Sequence, residues 1–470
     1  MAESEANDAK KKHLFILVHG LWGNHSHMDS INEMMSKTLD NFDDIVCFKP
    51  KNSGHMNSLH GLTVVSYNVL EEINSFVVEY GVEKFDRVSL IGYSMGGLVA
   101  RFVIGKMVTQ CKEIFEHMQP TIFVTFATPH LGVNFYQPQD KTRRTVSKRV
   151  LSSVLSVLGK TILGRSGSDI FISNRKDRVL VDLSQGEYLY GLSKFEHRIC
   201  IANVKNDRTV AFYTSCITNS DPFIETGNTL KYHFKHDLPI DVSEYPVQPR
   251  ILDLDSLTPG EDRAEDKTQT ASFKQKMSRV AFIFVLVGFI LPVIFTVNVV
   301  GTCYSYVTTY RRHSLLRYGY RKAGSKVEAP GFESGAFATL MSWVRNLIGD
   351  TINDEHDSGK DEESDWSIEN NKLHRTLTSD SAQTTDVWKQ FIRSHSRVWK
   401  HSKFQTLPFD ESRETIYENL SKLTWIRIPV YIKALNAHDG IVARKGLKKA
   451  TPYGVANVKF ACELINYLLQ

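Results

Sequence analysis

The sequence predicts an α/β fold built on a mostly parallel central sheet, and two patterns carry that expectation. Between His13 and about Asn206, short β-rich apolar runs alternate with helical stretches, the rhythm of strand–helix–strand units. The interior runs show little polar alternation, as expected of strands covered by helices on both faces.

In chain order the strands are expected at His13–His19, Ile45–Phe48, Val88–Ile91, Thr121–Phe126 and His197–Ala202. One more of the same kind is expected late, at Pro429–Ala434, followed by a terminal helix from Asn457 to Leu469 with Phe460, Leu464, Tyr467 and Leu468 on one face. The core therefore divides into a first part over 13–210 and a last part over 425–470, after a polar tail at 1–12 without the apolar run of a signal peptide. Residues 211–279 read as an irregular insertion. Val280–Val300 is 21 residues without a charge, which as a helix reaches about 30 Å, the thickness of a hydrocarbon core. Pro292 sits near its middle, and basic residues flank both ends, so loop charge gives no orientation. Residues 323–385 read as a solvated linker; Asp350–Glu369 alone holds nine acids against one lysine. Thr142–Leu163 interleaves basic and apolar residues and suits a lid or interfacial helix as well as an ordinary surface helix.

Composition narrows the function. At 470 residues the chain has ordinary globular content, 42% hydrophobic and 23% charged, which excludes collagenous, coiled-coil and wholly disordered classes. A net charge of +5 with no zinc-finger spacing argues against nucleic acid. Six scattered cysteines without CxxC fit a reducing compartment and suggest no metal site.

The chemistry is carried by Gly92-Tyr-Ser-Met-Gly96, lying between a strand and a helix. At such a turn the serine is forced into strained backbone, small residues are needed on either side, and the hydroxyl stands above the sheet. Ser94 is the expected nucleophile, with Gly92 and Gly96 forming the elbow. His19-Gly-Leu-Trp-Gly23 ends the first strand and can bring amides close to substrate; Leu21 or Trp22 would then donate to an oxyanion together with Met95. His19 and His130 read as orienting or packing residues. A serine needs an imidazole to accept its proton and a carboxylate to hold that ring. Asp207, in competition with Asp182 and Asp221, and His438, in competition with His233 and His236, fit the order Ser, Asp, His on loops after strands.

Together HGLWGN, GYSMGG, FATPHLG, NVKNDRTV and NAHDGIV resemble the fungal family of putative serine esterases, lipase-like members of the α/β-hydrolase fold, over 13–210 and 425–445. The resemblance implies a Ser94–Asp207–His438 triad without cofactor or metal. It also implies phospholipid acyl hydrolysis and residence at the lipid-droplet surface, extending to the endoplasmic reticulum membrane with the catalytic core facing the cytosol. From the residues alone, an acyltransferase, a neutral-lipid lipase and an inactive lipid-surface binding protein stay open, as does the oligomeric state. One constraint follows at once. Ser94 and Asp207 precede 280–300 and His438 follows it, so a single crossing would separate base from nucleophile; a segment broken at Pro292 that dips in and returns would not.

Overall fold

The computed structural model describes residues 10–136, 164–173, 178–225, 230–235, 238, 247–259, 381–399, 406–434 and 436–470. The segments 142–163 and 280–300 and nearly all of the linker 323–385 lie outside the described residues, as does Cys303.

Six strands form one sheet: β1 (Lys12–Val18), β2 (Ile45–Phe48), β3 (Phe85–Tyr93), β4 (Gln119–Phe126), β5 (His197–Asn203) and β6 (Ile426–Val430). Their order is β2-β1-β3-β4-β5-β6, and every pairing is parallel. Parallel neighbours need crossovers, supplied here by helices α1 (Asp29–Thr38), α2 (Leu62–Tyr80), α3 (Met95–Thr109), α4 (Gly186–Ser193), α5 (Ser381–His395) and α6 (Glu411–Ser421), and α7 (Pro452–Leu469) follows the last strand.

Strand alternation divides the interior into two layers. Leu14, Ile16, Val18, Leu90 and Phe123 face one layer with α2, α3 and α6, whereas Phe15, Leu17, Ile91, Val124 and Ile199 face the other with α1, α5 and α7. Both faces are thus covered, which is why the strands read as apolar runs. All parallel strands point their carboxyl ends to one edge, so the loops after β1, β3, β5 and β6 share it. A third, smaller apolar cluster gathers Phe212, Cys216, Leu230, Leu252 and Leu257 of 211–259, where Leu230–Lys231 pairs antiparallel with Thr258–Pro259.

Three sequence expectations are corrected. The last strand runs over Ile426–Val430, not Pro429–Ala434; Arg427 hid its apolar character, yet this arginine is buried and donates to the carbonyls of Cys216 and Trp425. Helix α5 begins inside the stretch read as linker, because Trp388, Phe391 and Ile392 recur at helical spacing and pack on Phe460 and Tyr467 of α7. The terminal helix also starts earlier, at Pro452, with the Thr451 side chain accepting from Gly454 N. No helix of the described residues is long and apolar enough to cross a membrane.

Trp425 is fully buried against Phe123 and His130, and its indole donates to Leu420 O at 3.0 Å. Trp425→Ala is expected to cost about 3–5 kcal/mol, read as a lowered urea midpoint at unchanged m; a shift under 1 kcal/mol contradicts this packing. Several imidazoles are buried in the neutral form. Burial, then Arg87, lowers His13 to about 3, and burial lowers His395 to about 4 and His130 well below its ordinary value. Their stabilising contribution is complete above the unfolded histidine value near pH 6.5 and is lost as pH falls toward those folded values. Stability should therefore decline from about pH 6.5 to 4.5, by up to about 1.4 kcal/mol per unit for each such histidine. A flat urea midpoint over that range would refute it.

Candidate active site

Ser94 sits between β3 and α3 with φ 56° and ψ −129°, backbone that an L residue adopts only under constraint. The constraint comes from glycine packing. A Cβ on Gly92 would lie 2.4 Å from Gly97 Cα, and one on Gly96 would lie 2.2 Å from Val18 O. The elbow is thereby pressed onto the end of β1, where a Cβ on Gly20 would lie 2.7 Å from Ser94 Cβ. The Ser94 amide donates to Phe126 O at 2.8 Å, and Thr128 Oγ1 donates to Ser94 O at 2.9 Å, so the neighbouring strand holds the turn as well.

The Ser94 hydroxyl lies 2.9 Å from His438 Nε2, and His438 Nδ1 lies 2.9 Å from Asp207 Oδ2. His438 stands on a short helical turn, Ala437–Gly440, after β6; Asp207 stands on the loop after β5. Asp207 Oδ1 accepts from Thr209 N, Thr209 Oγ1 and Val210 N at 2.9–3.1 Å, and Asn203 Nδ2 donates to Oδ2 at 2.8 Å. Its side chain is only 3% exposed. Burial opposes its charge, but His438 and these donors outweigh burial and hold the carboxyl below the ordinary aspartate range. The carboxylate is thus ionised and fixed, and its bond to Nδ1 leaves Nε2 as the lone-pair nitrogen facing serine. Acid loop and base turn are also joined by backbone: Ala437 N donates to Asn206 O at 3.2 Å, and Asn203 Nδ2 donates to Ala437 O at 3.1 Å.

The alternatives sit elsewhere. Asp221 caps its own turn, accepting from Tyr213 N and Phe223 N, and Asp182 lies on a short helix beside Gln185. His233 is exposed and its carbonyl accepts from Asp253 N, whereas His236 lies outside the described residues. The packing roles expected of His19 and His130 match their surroundings. His19 Nδ1 donates to Gly20 O at 2.9 Å and Nε2 accepts from Ser53 Oγ at 3.1 Å; burial lowers it to about 4. His130 Nε2 meets Thr125 Oγ1 at 3.0 Å. At the turn after β1, the Trp22 amide already donates to Ser58 Oγ at 2.9 Å, which removes Trp22 from consideration as an oxyanion donor. Met95 is the first residue of α3, so its amide has no acceptor within the helix. Sequence reasoning missed Asn203, which anchors the acid loop at the strand end, and Tyr93 inside the serine motif.

Chain order points to the class. Nucleophile, acid and base come from the ends of β3, β5 and β6 as Ser, Asp, His, the order of α/β hydrolases rather than of trypsin-like or subtilisin-like proteases. The site has the arrangement of a serine esterase or lipase of that fold. Residues 8–220 match the family described as putative serine esterase (DUF676). Among curated proteins, it is 26% identical over 221 residues to the "Putative lipase C4A8.10" of Schizosaccharomyces pombe, covering 44% of this chain and 26% of that one. It is 25% identical over 257 residues to the "Putative lipase ROG1" of Saccharomyces cerevisiae, covering 53% and 35%. The match thus spans about a quarter to a third of those relatives' length. A solved structure, Est1E from Butyrivibrio proteoclasticus, is similar over 45% of this chain and 74% of its own, at 14% identity and a TM-score of 0.26.

The close approach of Gly20 to Ser94 gives a direct test. Gly20→Ala should leave the protein folded and lower labelling of Ser94 by a fluorophosphonate probe about 10²-fold, because displacing reacting groups by about 1 Å costs that much. Labelling at the wild-type rate would mean that the two loops are not held in contact.

Proposed function

We propose that this serine esterase cleaves acyl esters of phospholipids at a lipid surface, using Ser94, His438 and Asp207. The single observation that carries the catalytic reading is the unbroken chain of 2.9 Å contacts from Ser94 Oγ through the imidazole to a buried carboxylate. Nε2 takes the Ser94 proton as Oγ attacks the ester carbonyl, and the Asp207 carboxylate stabilises the imidazolium that forms. The developing oxyanion is received by the amides of Met95 and Leu21, the second assigned by the engagement of Trp22 with Ser58. His438 returns the proton to the leaving alcohol, and water then releases the fatty acid by the same path in reverse.

The lipid half of the proposal rests on the 21-residue uncharged run at 280–300. The described chain supports attachment without a single crossing. Residue 259 ends a ladder on a segment whose Ile251 bridges Val430 of β6, and α5, which begins at residue 381, packs on α7 of the same core. The contact between Ser94 and His438 supports attachment on one side of the lipid rather than a single crossing. A phospholipid monolayer over neutral lipid, or the cytosolic leaflet of the endoplasmic reticulum, provides such a surface.

Fatty-acid release from phosphatidylcholine vesicles by wild type, Ser94→Ala and His438→Ala, at matched membrane loading, tests both halves. Each substitution should reduce release by at least about 10³-fold. Retained activity in His438→Ala would remove it as the base and reopen a crossing segment. A wild type active on soluble esters but silent on phosphatidylcholine would sink the phospholipid assignment alone.

A further inference from the structure

We infer that Tyr93 and Arg444 are positioning residues that lock the histidine turn to both the nucleophile elbow and the turn after β1, an inference that rests on the hydrolase reading above. Tyr93 immediately precedes the nucleophile and is buried, with its ring centroid 5.2 Å from that of His438. Its hydroxyl donates to His438 O at 3.0 Å and also lies 3.3 Å from Asp439 Oδ1. The residue beside the nucleophile therefore holds the backbone of the base.

Asp439 carries the connection onward. Its Oδ1 accepts from Arg444 Nη1 at 2.7 Å, its Oδ2 accepts from Asn436 Nδ2 at 3.1 Å, and its carbonyl accepts from the Arg444 amide at 3.1 Å. The other arm of the guanidinium, Nη2, lies 3.1 Å from His27 Nε2, and the Asn24 amide lies 3.3 Å from Nδ1 on the other side of that ring. The His27 ring in turn lies against the turn after β1: a Cβ on Gly23 would come within 2.9 Å of its Nδ1. Gly23 N donates to Gly20 O at 3.1 Å, closing the turn that contains Leu21, and Gly20 abuts Ser94. These contacts form a closed ring: elbow, histidine turn, Arg444, His27, first turn, and back to the elbow.

Such a ring has a use in this reaction. His438 must reach Ser94 and then the leaving oxygen while the oxyanion stays on the first turn, so the two turns need a fixed separation. A guanidinium suits the task because its planar fork binds two partners at once, and the Arg444 side chain is only 14% exposed, so solvent screens it weakly. It also places a positive charge against the Asp439 carboxylate next to the base.

The test uses the full chain and a short-chain water-soluble ester, so that lipid binding does not enter. Tyr93→Phe keeps the ring and removes the hydroxyl. Arg444→Lys keeps the charge on Asp439, but one ammonium cannot also hold His27. Each variant should lower kcat about 3–10-fold while KM stays within about two-fold and Tm within about 2 °C, since misplacement rather than unfolding is the cause. In the double variant the losses should combine to less than their product, because both act through one ring. Unchanged kcat, full multiplication of the losses, or losses that follow Tm or KM would each overturn the inference. A wild type inactive on every ester would instead sink the hydrolase reading, and the ring's catalytic role with it.

Discussion

Everything at this site depends on how closely the backbone at the carboxyl edge of the sheet can be packed. Ser94 keeps its strained conformation only because α3 is pressed onto the ends of β1 and β3, and no side chain fits between them at Gly20, Gly92 or Gly96. The strain is local, whereas the restraint comes from the two apolar layers that clamp the sheet. Because the same edge ends β5 and β6, the acid and base loops arrive where the serine already points. A nucleophile, an ionised carboxylate and an imidazole can then be assembled from three loops, none of which would hold its geometry alone.

Much of this was legible from the residues. Burial of a parallel sheet on both faces leaves apolar runs, and five of six strands were placed within three residues of their ends for that reason. The serine motif was readable because its glycines are dictated by steric contact. Asp207 and His438 were readable because they follow strands in the order that the fold requires, and the contacts at 2.9 Å join these two rather than Asp182, Asp221 or His233.

What escaped the sequence was mostly polar and long-range. β6 was displaced because a buried Arg427 looks like a surface residue until its carbonyl partners, Cys216 and Trp425, are in place. Trp22 looked equivalent to Leu21 until Ser58, far along the chain, took its amide. Arg444 gave no signal at all: a lone arginine in a lysine-rich stretch reads as solvated, and its two partners come from opposite ends of the chain. Side-chain hydrogen bonds carry no periodicity, so only the folded arrangement exposes them.

The long connection between β5 and β6 shows why such a core accepts an insertion at all. Closure entropy grows only with the logarithm of loop length, about 0.6 kcal/mol for each doubling, so a very long connection weakens the β5–β6 pairing little more than a modest one. That cost is small beside the contacts that the returning chain makes. Trp388 and Phe391 of α5 bury themselves on α7, and Arg413 of α6 donates to Val133 O and Phe171 O on the opposite layer. Both layers therefore grip the chain before it enters β6. The base can then be supplied from the far end of an insertion without loss of geometry, because α5, α6 and β6, rather than the length of the connection, fix where His438 stands.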